Sequence, residues 1–119
     1  MDVIPFSVNG LLGGIARADG GAKCENDVLT LEFKVQDGVV GLYKSAAKRG
    51  IVPLQILDLV RLDGGHGNAE LVLRAHSRIY LDGMPGRRRA EVKLRIGSEH
   101  LPNAERLIKE MERRMAEVG

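Results

Sequence analysis

Cysteine, aromatic side chains and long apolar runs are all scarce in this chain, and each shortage narrows what it can be. Its one cysteine, Cys24, cannot close an internal disulfide, so nothing points to a disulfide-stapled secreted scaffold and a reducing cytoplasm is the expected setting. Two Phe, two Tyr and no Trp in 119 residues leave the core to aliphatic side chains. They also leave no exposed set of rings on which single-stranded nucleic acid would stack. No apolar stretch approaches the roughly 20 residues of a spanning helix, and the amino terminus lacks a basic-then-apolar leader pattern. A soluble protein is expected.

Chemistry-bearing motifs are equally sparse. Ser7, Ser45, Ser77 and Ser98 lie in no nucleophile-elbow pattern. His66, His76 and His100 are too far apart in the sequence for a local metal motif, and Cys24 has no second cysteine to form a sulfur pair. The glycines of Gly10–Gly14 would let backbone N–H groups approach an anion, but no Lys-Ser/Thr pair follows and no helix supplies a dipole, so the segment reads as a loop or bulge. A Lys44-Ser45 pair does occur, but no glycine directly precedes the lysine. With no paired carboxylates or acid/base constellation either, the residues point away from an enzyme and from a bound metal or cofactor.

What the chain does have is alternation. At 119 residues, 44% hydrophobic and 29% charged, it fits one domain, 1–119, with the composition of an ordinary globular protein. Residues 3–8 place Ile4, Phe6 and Val8 on one face of a strand, with Pro5 better suited to an edge. From Ile15 to Glu25 the small residues Ala16, Ala18, Ala22 and Cys24 make a thin inner face. The Gly20-Gly21 pair marks a bend or a close backbone approach. After the turn signal Asn26-Asp27, Leu29, Leu31, Phe33 and Val35 alternate with polar residues in the clearest strand of the chain.

Further strands are expected at Lys48–Leu54, where Pro53 ends the ladder, and at 57–62, with Val60 and Leu62 inward. Two more are expected at Ala69–His76, with Leu71, Leu73 and Ala75 inward, and at 89–96, with Ala90, Val92, Leu94 and Ile96 inward. Asp37-Gly38, 63–68 and 82–86 read as turns or loops, Val39–Tyr43 as a short apolar piece, and Tyr80 and Leu81 as tucked beneath the last loop. Short connections favour antiparallel neighbours, since parallel pairs need long crossovers.

One long helix is expected, from Pro102 to Val118, with a looser turn starting at Ser98. Leu101, Ala104, Leu107, Ile108, Met111, Met115 and Val118 form its apolar stripe. Glu105 with Lys109, and Arg106 with Glu110, are spaced to pair. Most of the stripe also fits a heptad seam for a second copy, but it covers barely two and a half heptads, and Leu107 widens it as a globular core requires. Capping the chain's own sheet is the expected role.

The net charge of +2 conceals an asymmetry: residues 74–95 carry net +5 and the remainder net −3. Arg87, Arg88 and Arg89 adjoin a Gly-Met-Pro-Gly loop, and an outward row of Lys93 and Arg95, with Arg74 on a neighbouring strand, extends a candidate basic patch. Guanidinium groups suit phosphate or carboxylate. The plainer reading is a solvated face linked to Glu70 and Glu91.

The Leu29-Thr-Leu-Glu-Phe hairpin strand, the Val52-Pro53-Leu54 pivot, the Leu57-Asp-Leu-Val-Arg-Leu62 and Glu70-Leu-Val-Leu-Arg74 strands and the final amphipathic helix together resemble the bacterial pleckstrin-homology-like (PH-like), or GRAM-like, superfold. The resemblance implies a mainly β protein, a seven-stranded antiparallel PH-like bent barrel or orthogonal sandwich capped by one carboxy-terminal amphipathic helix. It implies a scaffold for binding lipids, peptides or proteins, or for ring-like self-assembly, and no catalysis. No compact Lys/Arg set occupies Gly20–Val28 and no Trp lies in the helix, which argues against inositol lipids. The expected function is a non-catalytic binding module for a protein or an anionic membrane surface, through the patch or by strand addition at a barrel edge. The alternative is a structural homo-oligomer, and nucleic acid is disfavoured.

Overall fold

A computed structural model describes residues 3–11, 16–37, 47–64, 68–76, 85 and 89–118. The expectations for the glycine loop at 12–14, for Val39–Tyr43 and the Lys44-Ser45 pair, for the loop tip at 65–67, and for Tyr80, Leu81, Arg87 and Arg88 lie outside the described residues.

Seven strands form one sheet: β1 Ile4–Leu11, β2 Ala16–Glu25, β3 Val28–Asp37, β4 Lys48–Pro53, β5 Leu57–Gly64, β6 Asn68–Ala75 and β7 Glu91–Gly97. The order across the sheet is β4-β3-β2-β1-β7-β6-β5, and every neighbouring pair is antiparallel. A 3-10 turn, Ser98–His100, leads into α1, Leu101–Val118, so Pro102 is the second helical residue, where its missing N–H still costs nothing.

The alternating pattern drives this arrangement. Ile4, Phe6 and Val8 on β1, Ala18, Ala22 and Cys24 on β2, Leu29, Leu31 and Phe33 on β3, and Val92, Leu94 and Ile96 on β7 are all buried on one face. The long β2–β3 hairpin runs unbroken from Ala16 opposite Asp37 to Glu25 opposite Val28. Its turn residues Asn26 and Asp27 have φ of 52° and 62°, the double positive φ a tight two-residue hairpin demands and that short polar side chains tolerate. Gly20 permits the tightest approach: a Cβ there would overlap the Glu32 carbonyl oxygen and lie 2.8 Å from Phe33 Cα.

Three details depart from the sequence expectation. β1 continues through Gly10 to Leu11, with an irregular register after Val8. Pro5 lies on a strand that is interior to the order, yet β1 pairs β7 at Ser7 and Arg95, so Pro5 stands beyond that bridge. Val72, expected on the wet face, is fully buried there. It sits in register between Arg61 and Lys93, whose aliphatic stems can cover it.

The ladder does not close into a barrel, because β4 and β5 remain the two ends of the order. Only the 3-10 turn Leu54–Ile56 separates them. In a flat sheet of seven strands the outer two would stand about 29 Å apart, whereas Pro53 to Leu57 spans at most about 14 Å. The sheet must therefore curl until its edges meet at this corner. Backbone bonds stitch the corner to both halves: Leu54 N–H donates to Asp27 O (2.9 Å) and His76 N–H to Ile56 O (3.0 Å).

Helix α1 fills the mouth left by that curl, packing mainly on β5 and the corner turn and also touching β2 and β7. Ala104, Leu107, Ile108 and Met111 are buried, with Leu101 and Met115 partly so. Burying Leu107, Ile108 and Met111 contributes about 5 to 9 kcal/mol, far more than surface ion pairs supply. Those pairs also differ from the expected ones. Glu110 accepts from Arg113 and Arg114 (both 2.6 Å), and Arg113 reaches Glu117 at 2.8 Å. Arg106 instead bonds the Asn103 side chain. The forked guanidinium of Arg113 spans carboxylates on both sides, Glu110 and Glu117.

Candidate functional site

The outer face of β5, β6 and β7 carries the described part of the basic patch. Register places Arg74 beside Glu91, Val72 beside Lys93, and Glu70 beside Arg95. Arg74 Nε donates to Asp58 Oδ1 at 2.9 Å, Lys93 Nζ lies 3.8 Å from Glu91, and Arg61 forks onto Asp63 at 2.9 and 3.0 Å. The structure thus brings Arg74, Lys93 and Arg95 onto one face but interleaves them with carboxylates. Arg95, flanked by Glu70 and Ser7 in register, has no ion pair among the described residues. Arg89 is exposed in the turn before β7 with φ of 55°. Within segment 74–95, Arg74, Lys93 and Arg95 against Glu91 supply +2 of the net +5, and residues 78 and 87–89 against residue 82 supply the other +3; of those four basic residues Arg89 alone is described.

The second candidate is the free edge at β4. Its inner neighbour is β3, paired from Val28 opposite Pro53 to Phe33 opposite Lys48, and no described strand adjoins its other side. Protected edges carry charge, bulges or proline where another chain could pair. β4 has Lys48 and Arg49 at its start and Pro53 at its end, but between them Ile51 is 56% exposed. Arg49 is held by Glu32 at 2.8 Å, whereas Lys48 has no ion pair among the described residues. The opposite edge differs: β5 has a register shift between Leu57 and Leu59 and lies under α1.

Sequence reasoning anticipated an open edge without locating it. The signal was the adjacent pair Ile51-Val52: with side chains alternating, both cannot face the core. Val52 does and Ile51 does not.

Described residues also line two clefts. One, of about 680 Å³, lies between α1 and the β2–β3 turn, lined by Ile4, Cys24, Asn26, Arg106, Leu107 and Glu110 among others. Its apolar floor is sealed, with Ile4, Cys24 and Leu107 all buried. Arg114 closes one side by bridging Glu110 and Asp27, the latter at 3.1 Å. Burial pushes the Cys24 thiol above its ordinary range, outweighing the pull of Arg114, so the group is a buried hydrophobe rather than a nucleophile.

The other cleft, of about 600 Å³, is a trough on the outer face of β2 and β3 over Gly21, reaching Thr30, Glu32 and Arg49 beside the β4 edge. His76 is exposed and His100 lies in the turn before α1, and no group of three or more potential metal ligands occurs among the described residues. No helix among them is long and apolar enough to cross a membrane. Comparison of the chain with family models, curated proteins and solved structures gives no match in any of the three.

Proposed function

We propose that this chain is a non-catalytic binding module of the PH-like or GRAM-like kind that takes a protein partner as an added strand on β4. The observation that carries the reading is Ile51, an aliphatic side chain left 56% exposed in the middle of an edge strand that pairs β3 on one side and no described strand on the other. Strand addition satisfies edge N–H and C=O groups and covers alternate side chains in one step. The antiparallel order and the terminal helix laid over the sheet's mouth support the family resemblance. Hydrogen exchange tests the reading: on binding a partner segment, the amides of residues 48–52 should gain protection while those of β6 stay unchanged. Protection confined to any other element would refute it.

A second reading is binding to an anionic surface through Arg74, Arg87, Arg88, Arg89, Lys93 and Arg95. It is favoured by Arg95, which has no ionic partner among the described residues. Charge on an exposed face weakens with salt, so replacing Arg87 to Arg89 by Ser should abolish salt-sensitive retention on vesicles containing phosphatidylserine. A structural homo-oligomer joined through sheet edges is the remaining reading, and a monomeric mass by light scattering rejects it.

A further inference from the structure

We infer that the β4 edge selects an extended segment of another protein in which an aliphatic residue is followed, two and three positions later, by carboxylates. The inference rests on strand addition at β4 and names the chemistry of the partner.

Side-chain alternation defines the selection. On β4, Arg49 and Ile51 point to the outer face, while Gly50 and Val52 lie on the inner side, with Val52 buried. Lys48 is exposed at the open start of the strand. An antiparallel guest runs opposite to β4, so as β4 is followed backwards from residue 51 to residue 48 the guest advances by three positions. The guest residue facing Ile51 completes an apolar cross-strand pair. The next faces Gly50, which offers no side chain.

The third guest residue faces Arg49. Glu32 lies across from Arg49 in register and bonds it at 2.8 Å, and a guest carboxylate would approach the same guanidinium fork from the other side. The fourth faces Lys48, the cation at this edge without an ionic partner among the described residues. Apolar, any, acidic, acidic is therefore the pattern for an antiparallel guest, the direction of every pairing among the described strands.

The same pattern separates a foreign partner from a second copy. No two acidic residues adjoin anywhere in the 119 residues, so no strand of this chain can present that pair to Lys48 and Arg49. The edge complements something other than itself.

The experiment uses fluorescein-labelled twelve-residue peptides with Val-Thr-Glu-Glu at the centre, the same four residues reversed, or Val-Thr-Lys-Lys. Binding to the full chain is followed by anisotropy, with hydrogen exchange on the complexes. The forward peptide is expected to bind saturably and at least about fivefold more tightly than the reversed one, the scale of one good cross-strand pair, and not to be matched by the lysine peptide. Lys48→Glu should lose that advantage and Ile51→Thr should weaken the forward peptide by a similar factor. Unchanged thermal midpoints would establish that both variants fold.

Equal affinity for forward and reversed peptides, or indifference to Lys48→Glu, overturns the selection rule. If β4 amides are nevertheless protected, strand addition itself stands. If no peptide protects them at millimolar concentration, both fail. A persistent dimer that buries β4 and resists the forward peptide assigns the edge to a second copy and also overturns the inference.

Discussion

Replacing Gly20 by alanine tests the close approach of β2 to the β3 backbone at that residue. The added Cβ would lie 2.8 Å from both Phe33 Cα and Phe33 Cβ and would overlap the Glu32 carbonyl oxygen. Ordinary carbon contacts begin near 3.5 Å, so β3 must retreat by about 0.7 Å or more at the centre of a ten-residue ladder. The atoms in the way are mostly backbone and cannot rotate aside. Overpacking of this kind costs about 2 to 3 kcal/mol, and for a domain of this size the thermal midpoint should fall by about 10 °C.

Gly64→Ala is the control, because a Cβ there meets nothing within 4 Å. It should be neutral or stabilising by about 0.4 to 1 kcal/mol through the unfolded chain. Gly21→Ala falls between them, since the obstructing atom is Cγ1 of the exposed Val3, which can swing away. Thermal unfolding of the three variants measures the series. A Gly20→Ala protein as stable as the parent would refute the close-packing argument.

Met111→Ala should cost about 2 to 5 kcal/mol, because its side chain is fully buried beneath the helix; denaturant midpoints check this, and an unaffected midpoint would mean the stripe is not packed on its own sheet. Asn26→Val should cost about 1 to 2 kcal/mol, since a β-branched residue is strained at a φ of 52°, as chemical denaturation would measure. Cys24 in the folded protein should resist a thiol reagent at pH 8 and react fully once unfolded. Its folded pKa lies above the unfolded value near 9.0, so stability is unaffected below that pH and falls as pH rises beyond it, where the unfolded chain ionises first. A Cys24→Ala variant should lose this extra alkaline slope. Glu110 has its pKa lowered by hydrogen bonds from Arg113 and Arg114, so the helix contribution it makes is present above pH 4.5 and fades as acid protonates it, a change readable by far-ultraviolet circular dichroism.

The strands were legible in the sequence wherever one face is wet and the other dry. Leu29, Leu31 and Phe33 or Val92, Leu94 and Ile96 announce their side because their neighbours are charged. Alternation puts Val72 on the outer face but does not give the depth of that face: long cationic stems on both neighbouring strands can bury an outward valine. The ion pairs of α1 were misread for a related reason. Helical spacing says which side chains can meet, while Arg106 was claimed by Asn103 and Glu110 by two arginines at once.

The candidate basic patch was visible only as a sum of charges along the chain. The sum is blind to Asp58, which lies outside the segment counted yet receives Arg74 across the β5–β6 ladder. The order of strands, and hence which edge is left over, depends on the long-range β1–β7 pairing, for which no local pattern carries a signal.

That pairing also dictates a timetable. Every other ladder joins strands that follow one another in the chain, whereas β1 must wait for residue 95 to be made before Ser7 finds its partner. On the ribosome, the β1–β4 meander can assemble early with one flank of its first strand bare. Proline is a residue that discourages intruding strands, and Pro5 lies on that flank-bearing strand. Its usefulness would then be greatest in the unfinished polypeptide, before the mature sheet exists.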